Sequence, residues 1–391
     1  MVQESKGLNR DIFRYKCWFI TSVLLLGYAY IHVKLTGLYY QIPLESWLDF
    51  TVPLPFAQRQ LVPFIARLIS SVISLQAHEI FFLLELLFVI LTFFALQKLL
   101  QLEFNNKLAL LLSWLFFLLL PLCTIINYRF TLQGGAAAIF YPYDTPSLFF
   151  IILGLYLCLK KNWFWLIVCV FFATLNRESS ILIVLLIPAL YLRSCKDISK
   201  LLVPFFSCLG AYILARLWLY YLVLNLSGLY TYWYRYDTSV TNFSVNMQWL
   251  FADQNIFMFI FAFAGLPLFW FTFYDYIPLK YRRIRYITFF YFLGLLGVGL
   301  VAETRIFAEI IVLIYLPICI AISNWLQNNY IVEPQQQGFW YYLNRYIIFL
   351  LIILVLLSNK LIDSVIKQMI LVPNWKSFQV KPANLSLIKG T

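Results

Sequence analysis

WFWLIVCVFFATLNRESSILIVLLIPALYL, residues 163–192, is a run of 30 residues whose only charged side chains, Arg177 and Glu178, stand at its middle. Read as one membrane helix, it would place an Arg–Glu pair near the bilayer centre, where each ionised group costs about 2.5–3.5 kcal/mol on insertion scales. It would also put Lys160 and Lys161 on the opposite side of the membrane from Arg193, Lys196 and Lys200. Read as two helices of about 14 residues, each spans about 21 Å at about 1.5 Å per residue, less than the roughly 30 Å hydrocarbon core. The Asn176-Arg177-Glu178 turn then sits recessed below one surface, in a protein-lined or wet cavity, and all the lysines and arginines flanking the run share one side. The two-helix reading is the one adopted, and it sets the parity of everything that follows.

Working outward, the chain of 391 residues is 63% hydrophobic, 20% aromatic and only 12% charged. So little charge excludes soluble folds, which at this length would split into two or three cores of roughly 100–200 residues. The apolar residues come in blocks near the roughly 20 residues a membrane helix needs, without the short alternating segments of a porin-type barrel. The expected fold is all-α: a polytopic helical membrane protein of about 11 transmembrane helices. Candidate spans lie near 17–35, 80–97, 108–127, 145–159, 163–175, 179–192, 201–223, 256–276, 286–301, 307–326 and 340–357. The first follows Lys6, Arg10, Arg14 and Lys16 with no small-residue cleavage site, so it reads as a retained span rather than a signal peptide.

With the N-terminus inside, 16 basic residues fall on the cytoplasmic side and 8 outside, the C-terminal tail set aside. The positive-inside rule therefore supports N-in, C-out, and the net charge of +12 reads as topology and lipid contact rather than nucleic-acid binding. Residues 1–357 form one transmembrane domain with long outer loops at about 36–78 and 225–255, and 358–391 a short outer tail carrying an amphipathic pattern at Ile362, Val365, Ile366, Met369 and Ile370. In the first loop, Leu61, Phe64, Ile65, Leu68 and Val72 repeat at helical spacing opposite Gln60, Arg67 and Ser71, which predicts an interfacial amphipathic helix. The second loop is dense in aromatic residues (Tyr230, Tyr232, Trp233, Tyr234, Tyr236, Trp249), an interface belt or a stacking platform for sugar rings.

Five polar constellations fall on the outer side, within or beside apolar blocks, and ionisable residues in such places point to function because burying them in the bilayer is costly. Glu45 and Asp49, four residues apart, share one side of a helical turn, and either suits a general base. Arg59 precedes Pro63 at the start of the interfacial helix and suits a phosphate or a lipid headgroup. Asp144 or Thr145 reads as an N-cap with Pro146 in the first turn. Asn176, Arg177 and Glu178 form the turn already described, with Arg177 and Glu178 expected to pair. Glu303, Arg305 and Glu309 are read as one ion-paired group, with Arg305 and Glu309 at helical i,i+4 spacing.

Glu85, inside the second span, either faces a cavity or pairs with an arginine such as Arg216. His32 and His78 have no ligand partner at metal spacing. The seven cysteines form no CxxC or Cys/His group and read as packing residues. No metal site and no cofactor is indicated, a divalent metal included. Motifs of nucleotide-binding and hydrolytic soluble domains are absent from the sequence.

Taken together, FAQRQLVPFIARL (56–68), YDTPSLFF (143–150), TLNRESSILIV (174–184) and AETRIFAEI (302–310) resemble segments of bacterial GT-C type membrane glycosyltransferases. The resemblance covers nearly the whole chain as architecture, but the first loop lacks an acidic doublet and the chain lacks a large soluble C-terminal domain. It implies an integral, multi-pass protein of the bacterial inner membrane with its active face outward. Its donor would be a polyprenyl-phosphate sugar, and its acceptor a lipid, glycan or protein. The implied base is Asp49, with Glu45 as rival, and the implied phosphate-binding residue is Arg59, Arg177 or Arg305. Asp144, Asn176, Glu178, Glu303 and Glu309 complete the expected substrate site. Two other readings stand beside it: a lipid or glycan transporter or flippase, and a polymerase or ligase of lipid-linked glycans.

Overall fold

The computed structural model describes residues 2–37, 42–126, 139–192, 197–226, 241–251, 260, 262–329 and six positions between 342 and 353. The helices are α1 (Val2–Leu35), α2 (Leu44–Leu48), α3 (Leu61–Val72), α4 (Ala77–Leu100), α5 (Asn106–Thr124), α6 (Asp144–Leu159) and α7 (Trp163–Asn176). They continue with α8 (Ile181–Tyr191), α9 (Ile198–Val223), α10 (Asn242–Phe251), α11 (Leu266–Thr272), α12 (Leu279–Arg282), α13 (Ile284–Val298) and α14 (Ala308–Leu326). Short 3-10 turns lie at Phe56–Gln58, Glu178–Ser180, Tyr274–Tyr276 and Thr304–Phe307. The described residues hold no strand, only isolated bridges such as the one between Gly37 and Ile139.

Among the described residues, five segments are long and apolar enough to cross a membrane: Ile12–Leu35, Ala77–Leu100, Asn106–Thr124, Ile198–Val223 and Thr304–Leu326. The shorter apolar helices α6, α7 and α8 pack among them. α14 is the hub: every residue from Ala308 to Ala321 is buried, as expected of a helix apolar on all sides. α1 and α9 lie at the periphery and expose large apolar side chains such as Phe19, Val23, Leu217, Trp218 and Tyr221, the pattern of a lipid-facing surface.

The 163–192 run is two helices. The chain leaves helical geometry at Arg177, whose backbone is extended (φ −160, ψ 144). The far ends of the two come back together: the Tyr191 hydroxyl donates to the Cys158 carbonyl at 2.7 Å, Tyr191 packs edge-on against Trp163, and Lys161 lies over its ring. The hairpin tip is fixed from within by the hydroxyl pair Thr174–Ser180 at 2.9 Å, and from outside by Asn176 Nδ2, which donates to the Tyr143 carbonyl and to Ser147 Oγ.

Two expected elements change. Where a span near 256–276 is expected, the described residues are helical at 260 and 262, turn where Ala264 and Gly265 adopt left-handed φ of 54 and 67, and resume as α11 and a 3-10 turn. Asp144 is not an N-cap: it is the first residue of α6, the capping residue is Tyr143, and no side chain caps the turn. The span near 340–357 falls mostly outside the described residues, and the tail 358–391 and Tyr230 to Tyr236 fall wholly outside them.

The bundle has two unlike ends. At one lie the C-terminus of α4 and the N-termini of α5, α7 and α13, with Lys98, Lys107, Lys160, Lys161, Lys280 and Arg285; here Lys280 and Tyr281 both bind Glu103 at 2.6 and 2.7 Å. At the other lie the first loop, the start of α6, the 176–180 turn and the start of α14.

Gly154 lets α6 meet α8. A Cβ at this position would stand 2.6 Å from Ile183 Cγ2, and a β-branched side chain on a helix has little freedom to move away. Gly154→Val is expected to destabilise the protein by about 1–3 kcal/mol through overpacking, read as a lowered unfolding temperature in detergent.

Candidate functional site

At the non-basic end, four stretches of chain that are far apart in sequence are drawn into one network. The first loop supplies Arg59, which follows the Phe56–Gln58 turn and is fixed when the next residue's amide, Gln60 N, donates to the Leu175 carbonyl at the end of α7 (2.9 Å). The start of α6 supplies Tyr143 and Asp144, the hairpin tip Asn176 to Ser179, and the turn before α14 Glu303 and Arg305, with Glu309 one turn inside.

Asp144 is the centre. Its two carboxylate oxygens accept separately from Arg177 (3.2 Å) and Arg305 (2.8 Å). Arg177 also reaches Glu309 at 3.0 Å, and Ser179 donates to the same Glu309 oxygen at 3.0 Å. Arg305 turns its other nitrogen to Glu303 at 2.8 Å. Arg59 forks onto Glu178 at 2.8 and 3.4 Å and donates to the Tyr143 hydroxyl. The guanidiniums lie on rings as well as on acids: Arg59 sits 4.3 Å from the Tyr143 centroid and Arg305 4.1 Å from that of Tyr141, and the two tyrosines stack at 5.2 Å.

Of the ten residues nominated from sequence, eight therefore meet: Arg59, Asp144, Asn176, Arg177, Glu178, Glu303, Arg305 and Glu309. Their pairing differs from the expected one. Arg177 and Glu178 do not pair with each other, because the extended backbone at Arg177 sends the two side chains to different neighbours: Arg177 to Asp144 and Glu309, Glu178 to Arg59. Arg305 and Glu309 do not pair either. Thr304–Phe307 is a 3-10 turn, so the i,i+4 geometry of an α-helix is absent between them.

Glu45 and Asp49 stand apart. Glu45 lies in the first turn of α2 and Asp49 caps its C-terminus; both are exposed, and among the described residues neither side chain has an ion pair. Their helix is nevertheless docked on the network, since the buried Trp47 between them packs edge-on against Tyr143 at 5.8 Å. α3 forms a helix in the stretch that the apolar repeat marks, with Val62, Pro63 and Ala66 buried against the bundle and Phe64, Leu68 and Val72 of that repeat exposed.

Burial pushes the Glu178 carboxyl up, but the adjacent Arg59 charge and its hydrogen bonds more than offset this and hold it down, at about 2. Burial also raises the Tyr143 phenol, to about 12, against the lowering effect of Arg59, so it stays a neutral donor and acceptor. A depressed carboxyl contributes stability above its unfolded value of about 4.3 and loses it as pH falls toward its folded value. The unfolding temperature of Glu178→Gln should thus lie below wild type by a constant amount from pH 5 to 8, and the gap should close between about pH 4 and pH 2. A gap that closes above pH 5 would contradict the pairing.

A second buried group was visible only as isolated residues. His32 Nδ1 lies 2.8 Å from Glu85 Oε1, and Thr145 donates to the same oxygen at 2.6 Å. Glu85 pairs with α1, not with Arg216, which instead donates to Gln58 Oε1 at 2.7 Å. The signal in the sequence was the pair itself, one histidine and one glutamate inside apolar helices, each too costly to bury alone.

No family model, curated protein or solved structure matches this chain.

Proposed function

We propose that the protein is a membrane glycosyltransferase that moves a sugar from a polyprenyl-phosphate carrier to a lipid, glycan or protein acceptor at the non-cytoplasmic face. In this reading about 11 helices cross the inner membrane N-in and C-out, and the polar network lies at the outer leaflet. The observation that carries it is the convergence of the FAQRQLVPF, YDTPS, NRESS and ETRIFAE segments on one largely buried network beside α2 and α3, with Glu178 at its exposed edge.

The chemistry follows from the exposed acids and the buried pairs. Asp49, with Glu45 as the alternative, takes the proton of an acceptor hydroxyl as its oxygen attacks the anomeric carbon. The bond to the lipid phosphate breaks in the same step, with inversion and with a single carboxylate base, unlike the carboxylate pair of most glycosidases. The three guanidiniums are matched by four carboxylates, so the network is a rigid floor that fixes α2 and Arg59 rather than a basin of free positive charge. Arg59, at 12% side-chain exposure, is the least enclosed of the three and the one within the network best placed to meet a substrate. The residues call on no metal for this reaction.

The test is transfer by the purified protein from a panel of polyprenyl-phosphate sugars to membrane-lipid acceptors, comparing wild type with Asp49→Asn and Glu45→Gln. Transfer that survives unchanged in both variants would overturn the base assignment.

A transporter is the second reading, favoured by the His32–Glu85 pair, which lies buried between α1 and α4 in the manner of residues that carry protons or ions through a bundle. Flux of a lipid-linked sugar across proteoliposomes, with no new glycosidic bond, would decide for it.

A further inference from the structure

Arg216 is an arginine beside this network that pairs with no acid among the described residues. It lies on α9, and its only hydrogen-bond partner among the described residues is the neutral Gln58 side-chain oxygen at 2.7 Å. Its other terminal nitrogen is shielded from solvent and has no hydrogen-bond partner among those residues. Glu178 is close by, since Tyr212, one turn earlier on α9, donates to its carbonyl at 3.4 Å. The Glu178 carboxylate, however, is already held by Arg59.

The surroundings say which kind of counter-charge would arrive. Ala215, Leu219 and Val223 of α9 are buried, with Val223 packed on Leu54 and Ala57 of the first loop, while Ile213, Leu214, Leu217 and Trp218 are exposed. Arg216 thus stands on the seam where the first loop meets a lipid-facing helix. An ionised arginine within a membrane helix costs about 2.5–3.5 kcal/mol and is retained where it pairs, and a planar guanidinium pairs best with an oxyanion that accepts two hydrogen bonds. The neighbouring network would repel an anion from its own centre, because its four carboxylates outnumber its three guanidiniums. The seam at Arg216 is therefore where an anion is attracted, not the floor beside it.

We infer that Arg216, oriented by Gln58, is the seat for the phosphate group of a membrane lipid that approaches sideways between the first loop and α9. This deepens the proposed function and rests on it only for the tail, which that reading makes polyprenyl; phosphate binding is measured without any transfer.

The experiment uses the full chain in phosphatidylcholine nanodiscs and measures binding of polyprenyl phosphate, the neutral polyprenol of equal length, phosphatidylglycerol and inorganic phosphate. Wild type should bind polyprenyl phosphate at least about tenfold more tightly than polyprenol or inorganic phosphate, the scale of a lost charge-assisted contact, and Arg216→Gln should abolish that preference. Arg216→Lys should keep part of it.

Gln58→Glu separates binding from folding: it gives Arg216 an acid partner, so the unfolding temperature should hold or rise while the phosphate preference disappears. The inference is overturned by equal binding of polyprenol, by equal affinity for inorganic phosphate, or by a preference that survives both Arg216→Gln and Gln58→Glu. Equal binding of phosphatidylglycerol and polyprenyl phosphate supports the seat but withdraws the support it lends to sugar transfer. Intact phosphate binding with no transfer to any acceptor would count against the enzyme reading alone.

Discussion

Asp144→Asn is expected to be strongly destabilising, costing about 3–5 kcal/mol. The amide is nearly the same size as the carboxylate, so the loss is electrostatic. Arg177 and Arg305 each place a nitrogen on Asp144, and all three side chains are less than 10% exposed. Removing one partner of a buried ion pair leaves an uncompensated charge in a medium that cannot solvate it, and here two charges are left. Glu309 and Glu303 retain one arginine each, which keeps the penalty at the ordinary scale for a broken buried pair rather than doubling it. The measurement is thermal unfolding of detergent-purified protein, with folded yield as a second readout. A double-mutant cycle with Arg305→Gln should recover part of the loss, because removing the second charge removes part of the penalty. An unfolding temperature within a degree or two of wild type would mean that Asp144 is not the centre of the network.

Asp49→Asn is expected to have the opposite profile: little change in stability and a fall of about 10²–10⁴ in transfer rate, the usual contribution of a positioned general base. The structure gives the stability half directly, since the Asp49 side chain is exposed and makes no ion pair among the described residues. If Glu45→Gln produces the fall and Asp49→Asn does not, the base is the other acid of the same turn. A matching fall in both would mean that the two carboxylates act as a unit. The Asp144 and Asp49 variants together separate the part of the site that holds the fold from the part that faces substrate.

Helices and charge placement were legible because both are local. Apolar blocks between basic clusters located α1, α4 to α9, α13 and α14, and the cost of charge in a bilayer marked Arg59, Asp144, Arg177, Glu178, Glu303, Arg305 and Glu309 before any neighbour was known. Partners were not legible, because pairing is decided by packing across the bundle and not by adjacency. Arg177 sits next to Glu178 in the chain, yet one extended residue sends Glu178 to Arg59, 119 positions away, and Arg177 to Asp144 and Glu309. The Arg305–Glu309 spacing suits an α-helix, but the turn between them is 3-10. The fragmentation of the 256–276 region followed the same rule: its apolar content reads as a span, and two left-handed residues at 264 and 265 break the described part of it.

The ion pairs of Arg177 also set a timetable for making the protein. One of its acids, Asp144, is synthesised before it; the other, Glu309, comes after a stretch comparable to the 130 residues that separate Ser179 from Glu309. At about 5–20 residues per second, roughly 7 to 26 seconds pass between them. Throughout that interval Arg177 has only one of its two acids, Asp144, to meet, and the helix that carries the other has not been made. A chain truncated before Glu309 is therefore expected to leave Arg177 and Ser179 without that partner, read as a lower folded yield than that of the full chain.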